Sequence, residues 1–152
     1  AELLRELTDE NDPHPELFDL ADATLAALAA GDPVGRLVLR FELGALRLLG
    51  HTPSLAECVE CGQRVLLNGR VAFGLSDGGV LCPKHRSGKR HVATVRAETL
   101  QTMKQFADPD AHPWQHMPIA ARTLGEIRGV MNQYLAHLMG KKPRMHAYLG
   151  SL

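Results

Sequence analysis

Nothing limits the fold of this chain as sharply as two short clips of metal-ligating residues. Cys58-Val59-Glu60-Cys61 and Cys82-Pro83-Lys84-His85 are separated by twenty residues. Each clip spaces its ligands by two residues, so both donors of a clip can reach one ion. Three thiolates and one imidazole complete the N/S donor set of a closed tetrahedral zinc site. Gly62 follows the first clip, where a metal knuckle needs a residue at ease with positive φ. A segment of this size buries little apolar surface of its own, so metal binding supplies much of its folding energy. Four protein ligands leave no position for water, and the expected zinc is structural. His91 is a second candidate for the fourth ligand; the symmetric spacing favours His85. A thioredoxin-type redox pair at Cys58 and Cys61 needs a helix opening at the motif, and Pro53 and Gly62 oppose one there.

The same three cysteines are all the chain has. An odd number fits a disulfide framework poorly, and a metal site in a reducing cytoplasm uses every one. With 152 residues and 45% apolar composition the chain can form one ordinary domain with its own core. No apolar run is long enough to cross a membrane, and the first residues carry no secretory signal. A net charge of zero hides a split. Residues 1–33 hold nine acids and one base, a balance of −8, and residues 34–152 hold sixteen bases and eight acids, a balance of +8. Such asymmetry points to an acidic partner for the basic part, or to an ordinary solvated surface.

Prolines and glycines divide the rest into helices. A short helix over residues 2–10 is broken by Asn11-Asp12-Pro13-His14-Pro15. Pro15 starts a helix to Ala30, with Leu17, Leu20, Ala21, Leu25 and Leu28 on one side. Asp32-Pro33 caps a third helix running to Leu49, apolar on most sides and expected to be central. Around Asn68-Gly69, residues 64–73 read as a hairpin, and Asp77-Gly78-Gly79 turns into the second clip. Helices are expected again over 96–107, with Leu100, Met103 and Phe106 inward, and from Pro118 to Met139, where Gly125 and Gly129 either weaken the helix or allow close packing. The fold class is mainly α, a helical domain with an inserted small β zinc ribbon: residues 1–53 and 92–152 form the helical parts and 54–91 the insertion.

Two groups of cations stand out. Lys84, Arg86, Lys89 and Arg90 cluster on and after the second clip, with no acid between Asp77 and Glu98. That density suits phosphate contacts, which give salt-dependent affinity with little sequence preference; a solvated basic loop is the plainer alternative. Arg36, Arg40 and Arg47 fall within roughly 40° of one another on the third helix. Such a stripe either pairs with Glu16, Asp19 or Asp22, or serves a partner. His14, His51, His112, His116, His137 and His146 have no metal spacing and read as loop or surface residues, and Asp108-x-Asp110 reads as loop. No phosphate loop, nucleophile motif or carboxylate pair marks an enzyme.

The chain resembles the C-terminal part of the bacterial recombination mediator RecO family. Phe41, Leu48, Leu49, Gly50, Pro53 and Leu55 lead into the first clip, and Phe73, Ser76, Gly78-Gly79 precede the second. Pro15 to Phe18, and Tyr134-Leu135 through Gly140-Lys141-Lys142-Pro143 to Tyr148-Leu149, are similar too. The resemblance implies an N-terminal OB-fold barrel before this region, then a helical domain with an inserted zinc ribbon. It also implies a non-enzymatic, cytoplasmic, nucleoid-associated role in DNA repair and recombination. Members bind single- and double-stranded DNA, pair with RecR and help RecA displace single-strand-binding protein. The acidic, apolar tail of that protein is received by the helical domain, and Arg36, Arg40 and Arg47 would suit it chemically. A structural zinc-ribbon protein-interaction module without direct DNA binding is the alternative function.

Overall fold

The computed structural model describes residues 2–8, 13–110, 114–144 and 147. The expected break at Asn11-Asp12, the histidines 112 and 146 and the Tyr148-Leu149 motif lie outside them. Its element order is α1 (Glu2–Leu7), α2 (Pro15–Ala29), α3 (Val34–Leu48), β1 (Arg70–Gly74), β2 (Gly79–Leu81), β3 (Val92–Arg96), α4 (Ala97–Ala107), a 3₁₀ turn (Trp114–His116) and α5 (Ala121–Leu138). Helices dominate and one small antiparallel sheet is set among them, the mainly α class with a small β insert.

Helix boundaries follow the punctuation closely. Pro15 opens α2, and Gly31, Gly50 and Gly140 take positive φ just beyond α2, α3 and α5. Asp32 does not cap α3. The cap position is Pro33 and the helix begins at Val34, with no side-chain cap. Helix α3 buries Leu37, Leu39, Leu43, Ala45 and Leu46 and is the central helix, as its composition requires. Helix α2 buries only Leu17. Leu25, expected inward, is 65% exposed; α2 packs mainly on α3, where Gly44 lets Leu20 approach. Gly125 and Gly129 do not pack closely on anything described; a Cβ at either would meet open space.

The sheet differs from the expected hairpin. Gly69 does adopt positive φ, yet residues 65–67 form no strand beside β1. They turn instead toward the first clip, where Val65 donates its N–H to Ala56 O at 2.8 Å and Glu57 bridges to Arg64. The hairpin partner of β1 is β2, with Ala72 opposite Leu81 and Phe73 opposite Val80, closed by the turn at Gly78. On its other edge β1 pairs with β3, Val71 opposite Val95. The strand β3 was not anticipated; it runs into α4 without an intervening turn residue.

Sheet and helices share one core. Phe73, Val80 and Val95 from the strands pack with Leu39, Leu43, Met103, Ile127 and Met131 from the helices. Complete burial of a side chain such as Phe73 contributes about 1.5–3 kcal/mol. Phe73 meets Tyr134 of α5 edge-on, 6.3 Å between ring centres, and Tyr134 donates its hydroxyl to His51 O at 2.8 Å. The frame that carries the two clips is thereby fixed to the helices.

Candidate metal centre and its cationic surroundings

Backbone hydrogen bonds shape the first clip. Cys58 donates to Gln63 O and Gly62 to Cys58 O, each at 2.8 Å, with Gly62 at φ 68°. This is the tight knuckle the glycine was expected to allow. The second clip continues from β2: His85 and Arg86 donate to Cys82 O at 3.0 and 3.1 Å. The clips meet because Val59 donates to Val80 O at 3.1 Å and Ser54 bridges to Gly79. There the chains approach so closely that a Cβ on Gly79 would lie 2.5 Å from Ser54 O. The Gly78-Gly79 pair thus has a physical role: Gly78 turns the chain and Gly79 admits its neighbour.

The ligand atoms of Cys58, Cys61, Cys82 and His85 all lie within 4.8 Å of one another. His85 Nδ1 is 3.2 Å from Cys82 Sγ and 3.8 Å from Cys58 Sγ. Donors about 2.0–2.3 Å from a tetrahedral zinc stand about 3.3–3.8 Å apart, so the group fits a metal of that kind after a small contraction. His91, the alternative ligand, is outside the group; its ring meets that of His137 edge-on, 4.9 Å between ring centres. Burial pushes the Cys58 thiol up, but hydrogen bonds from the backbone of Cys82, Glu60 and Cys61 outweigh it and bring it down to about 6. For Cys61 the backbone of Gln63 acts downward, while burial and the neighbouring Cys58 and Cys82 sulfurs leave it raised. Cys58 takes negative charge readily, and Cys61 resists until a cation joins them.

The cations predicted beside the clip are not equivalent. Lys84, Arg86 and Arg90 are exposed, and among the described residues none is ion-paired with a carboxylate. Lys89 is ion-paired: its ammonium donates to Asp77 Oδ1 at 2.6 Å and also to Glu60 Oε1. The α3 stripe is divided too. Arg36 donates to Met117 O at 2.7 Å, and Arg40 to Phe106 O at 2.6 Å, Asp108 O and Pro109 O at 3.0 Å, with its guanidinium 5.9 Å from the Trp114 ring centre. These bonds hold the loop after α4 against α3. Arg47 alone of the three is exposed. One ion pair of α3 was not expected from the sequence: Glu42, 6% exposed, accepts from Arg128 of α5 at 2.5 Å. A lone acid inside the leucine-rich run was the available signal.

Comparison with known proteins identifies the family. The family described as Recombination protein O C terminal matches residues 1–146. A DNA repair protein RecO of Rhodopirellula baltica is 31% identical, over 98% of this chain and 64% of its own length. One of Anaeromyxobacter is 35% identical, over 100% of this chain and 59% of its own length. The RecO of Myxococcus xanthus is 29% identical over 93% of this chain. The chain spans about 59 to 64% of the length of the first two. No solved structure matches.

Proposed function

This chain belongs to the Recombination protein O C-terminal family, and from that premise we propose that it is the helical and zinc-holding part of a DNA repair and recombination mediator. The observation that carries the reading is the position of exposed Lys84, Arg86 and Arg90 on and just after a clip whose ligand atoms lie together with those of the first clip in a group able to hold a metal. Zinc is the metal proposed, since three thiolates and an imidazole in a compact group suit it. Its role is structural: bound by all four side chains, it fixes the clip and with it the cations. Phosphate contact by these side chains gives affinity without base specificity. Such binding is what a mediator acting on any damaged sequence requires. The proposed mediator is not an enzyme and works in the bacterial cytoplasm on nucleoid DNA. It acts with RecR, and with the tail of single-strand-binding protein, to promote RecA loading and strand annealing.

Exposed Phe18 and Leu25, 72% and 65% accessible on α2, favour a second reading, a protein-interaction module whose basic clip is only solvated. Titration of labelled single-stranded and duplex DNA with the zinc-loaded chain separates the two. The mediator reading expects binding that weakens steeply with salt and is reduced in a K84A/R86A/R90A variant. Binding absent at low salt leaves the interaction module.

A further inference from the structure

We infer that a groove on the sheet side of the metal centre, walled by Arg64, Arg70 and Arg86, holds the sugar-phosphate backbone of a single nucleic-acid strand. The inference rests on the proposed DNA binding and names a surface for it, two of whose three cations lie outside the basic run after the second clip. Arg64 follows the first clip, Arg70 opens β1 and Arg86 follows His85, yet all three line one open groove of about 430 Å³. The fold brings them together. The bridge from Glu57 to Arg64 holds the first, and the pairing of Ala72 with Leu81 sets β1 beside the strand leading to Cys82. The hydrogen bond of Arg86 N–H to Cys82 O fixes the third.

Charge favours an anionic occupant. Every one of the three arginines is exposed, no residue lining the groove is acidic, and among the described residues none of the three is ion-paired with a carboxylate. This contrasts with Lys89, Arg96, Arg122 and Arg128, each of which has a carboxylate partner. Guanidinium groups grip phosphate oxygens through two parallel N–H bonds, so arginine rather than lysine suits the site. Gln63 and Asn68 line the same groove with amides able to meet base edges. Leu66, 87% exposed at the rim, offers an apolar face to a base or sugar. The groove is of the size that accepts a small ligand, which a flexible single strand can enter. An acidic peptide is the less suited occupant: of the apolar lining, Val65, Val71, Ala72 and Leu81 are buried and only Leu66 and Pro83 are exposed, where an acidic and apolar tail needs an accessible apolar pocket as well.

Anisotropy of a labelled oligothymidylate, titrated with the zinc-loaded chain and with an R64Q/R70Q variant over a range of salt, tests the assignment. Zinc content and thermal unfolding of both proteins establish that the frame is unchanged. The expected result is an affinity loss of about tenfold or more and a salt slope smaller by about 1.4, two phosphate contacts on a single strand. An R64K/R70K variant should recover the slope and only part of the affinity. A parent chain that binds no oligonucleotide overturns the DNA reading and the groove with it. Parent binding that the R64Q/R70Q change leaves intact overturns the groove alone. Loss of binding to an acidic peptide in that variant, with oligonucleotide binding retained, assigns the groove to protein instead.

Discussion

Lys89 Nζ lies 2.6 Å from Asp77 Oδ1 and reaches Glu60 Oε1 as well, so one ammonium ties the β1–β2 turn to the knuckle between Cys58 and Cys61. Hydrogen bonds to Asp77 and Glu60 raise its pKa above the usual lysine value, and it stays charged across the accessible range. In the basic run this lysine therefore differs from its neighbours. A K89M variant should bind single-stranded DNA nearly as the parent does, while losing zinc to a chelator faster. Release rates followed with a colorimetric chelator check this; unchanged release with weakened DNA binding contradicts it.

Gly79 faces the backbone of Ser54 with no space for a methyl group, a Cβ falling 2.5 Å from Ser54 O and 2.8 Å from its N. Backbone atoms cannot swing aside as a side chain can. Gly79→Ala should cost about 1–3 kcal/mol by forcing the bridge apart, read by denaturant unfolding. Gly125→Ala, where the new methyl meets open space, should cost nothing and gain helix propensity. Equal effects at both positions would contradict the packing described.

The buried pair of Glu42 and Arg128 joins α3 to α5. Burial pushes the Glu42 carboxyl up, and Arg128 acts against it. Removing the cation in R128M should cost about 3–5 kcal/mol at neutral pH, because a buried carboxylate is left unpaired. A carboxyl raised in the folded state carries no penalty below its unfolded value, and the penalty grows as pH rises through the folded one. Stability of R128M should accordingly recover toward acid pH, and E42L/R128M should recover most of it at neutral pH. Unfolding curves at several pH values decide; a loss independent of pH contradicts the assignment.

Glu126 behaves in the opposite way. Burial acts to raise its carboxyl, but hydrogen bonds from Thr99 and from Arg96, the latter at 3.0 Å, hold it below 4.5. A depressed carboxyl adds stability above the unfolded value, and that stability is lost as pH falls through the folded one. An E126Q variant should be less stable than the parent at neutral pH and converge with it in acid. Parallel melting curves from pH 7 to pH 3 that never converge would refute this.

How far the sequence disclosed the molecule depended on whether a residue's role was local. Pro15, Gly31, Gly50 and Gly140 mark helix ends through their own backbone preferences, and the structure puts ends beside them. The four-ligand group was legible because two short spacings determine it, and His85 rather than His91 completes the cluster. Non-local pairing was not legible. Asn68-Gly69 makes a bend with Gly69 at positive φ, yet whether Val65 pairs across it is decided by Ala56, nine residues earlier. Strand β3 has no turn residue between Arg96 and α4, so its residues read as the approach to a helix. The arginines on α3 were visible as a stripe, but the carbonyls that receive Arg40 belong to residues 106 to 109, about seventy positions away.

The central claim is that the metal group holds a cationic surface in shape for DNA, and comparing the zinc-loaded and chelator-stripped chain in one oligonucleotide titration tests it most directly. The account predicts one zinc per chain, a fall of about tenfold or more in single-strand affinity on removal, from lost phosphate contacts, and full recovery when zinc is restored. Undiminished affinity in the stripped protein, with its zinc shown to be gone, would contradict it.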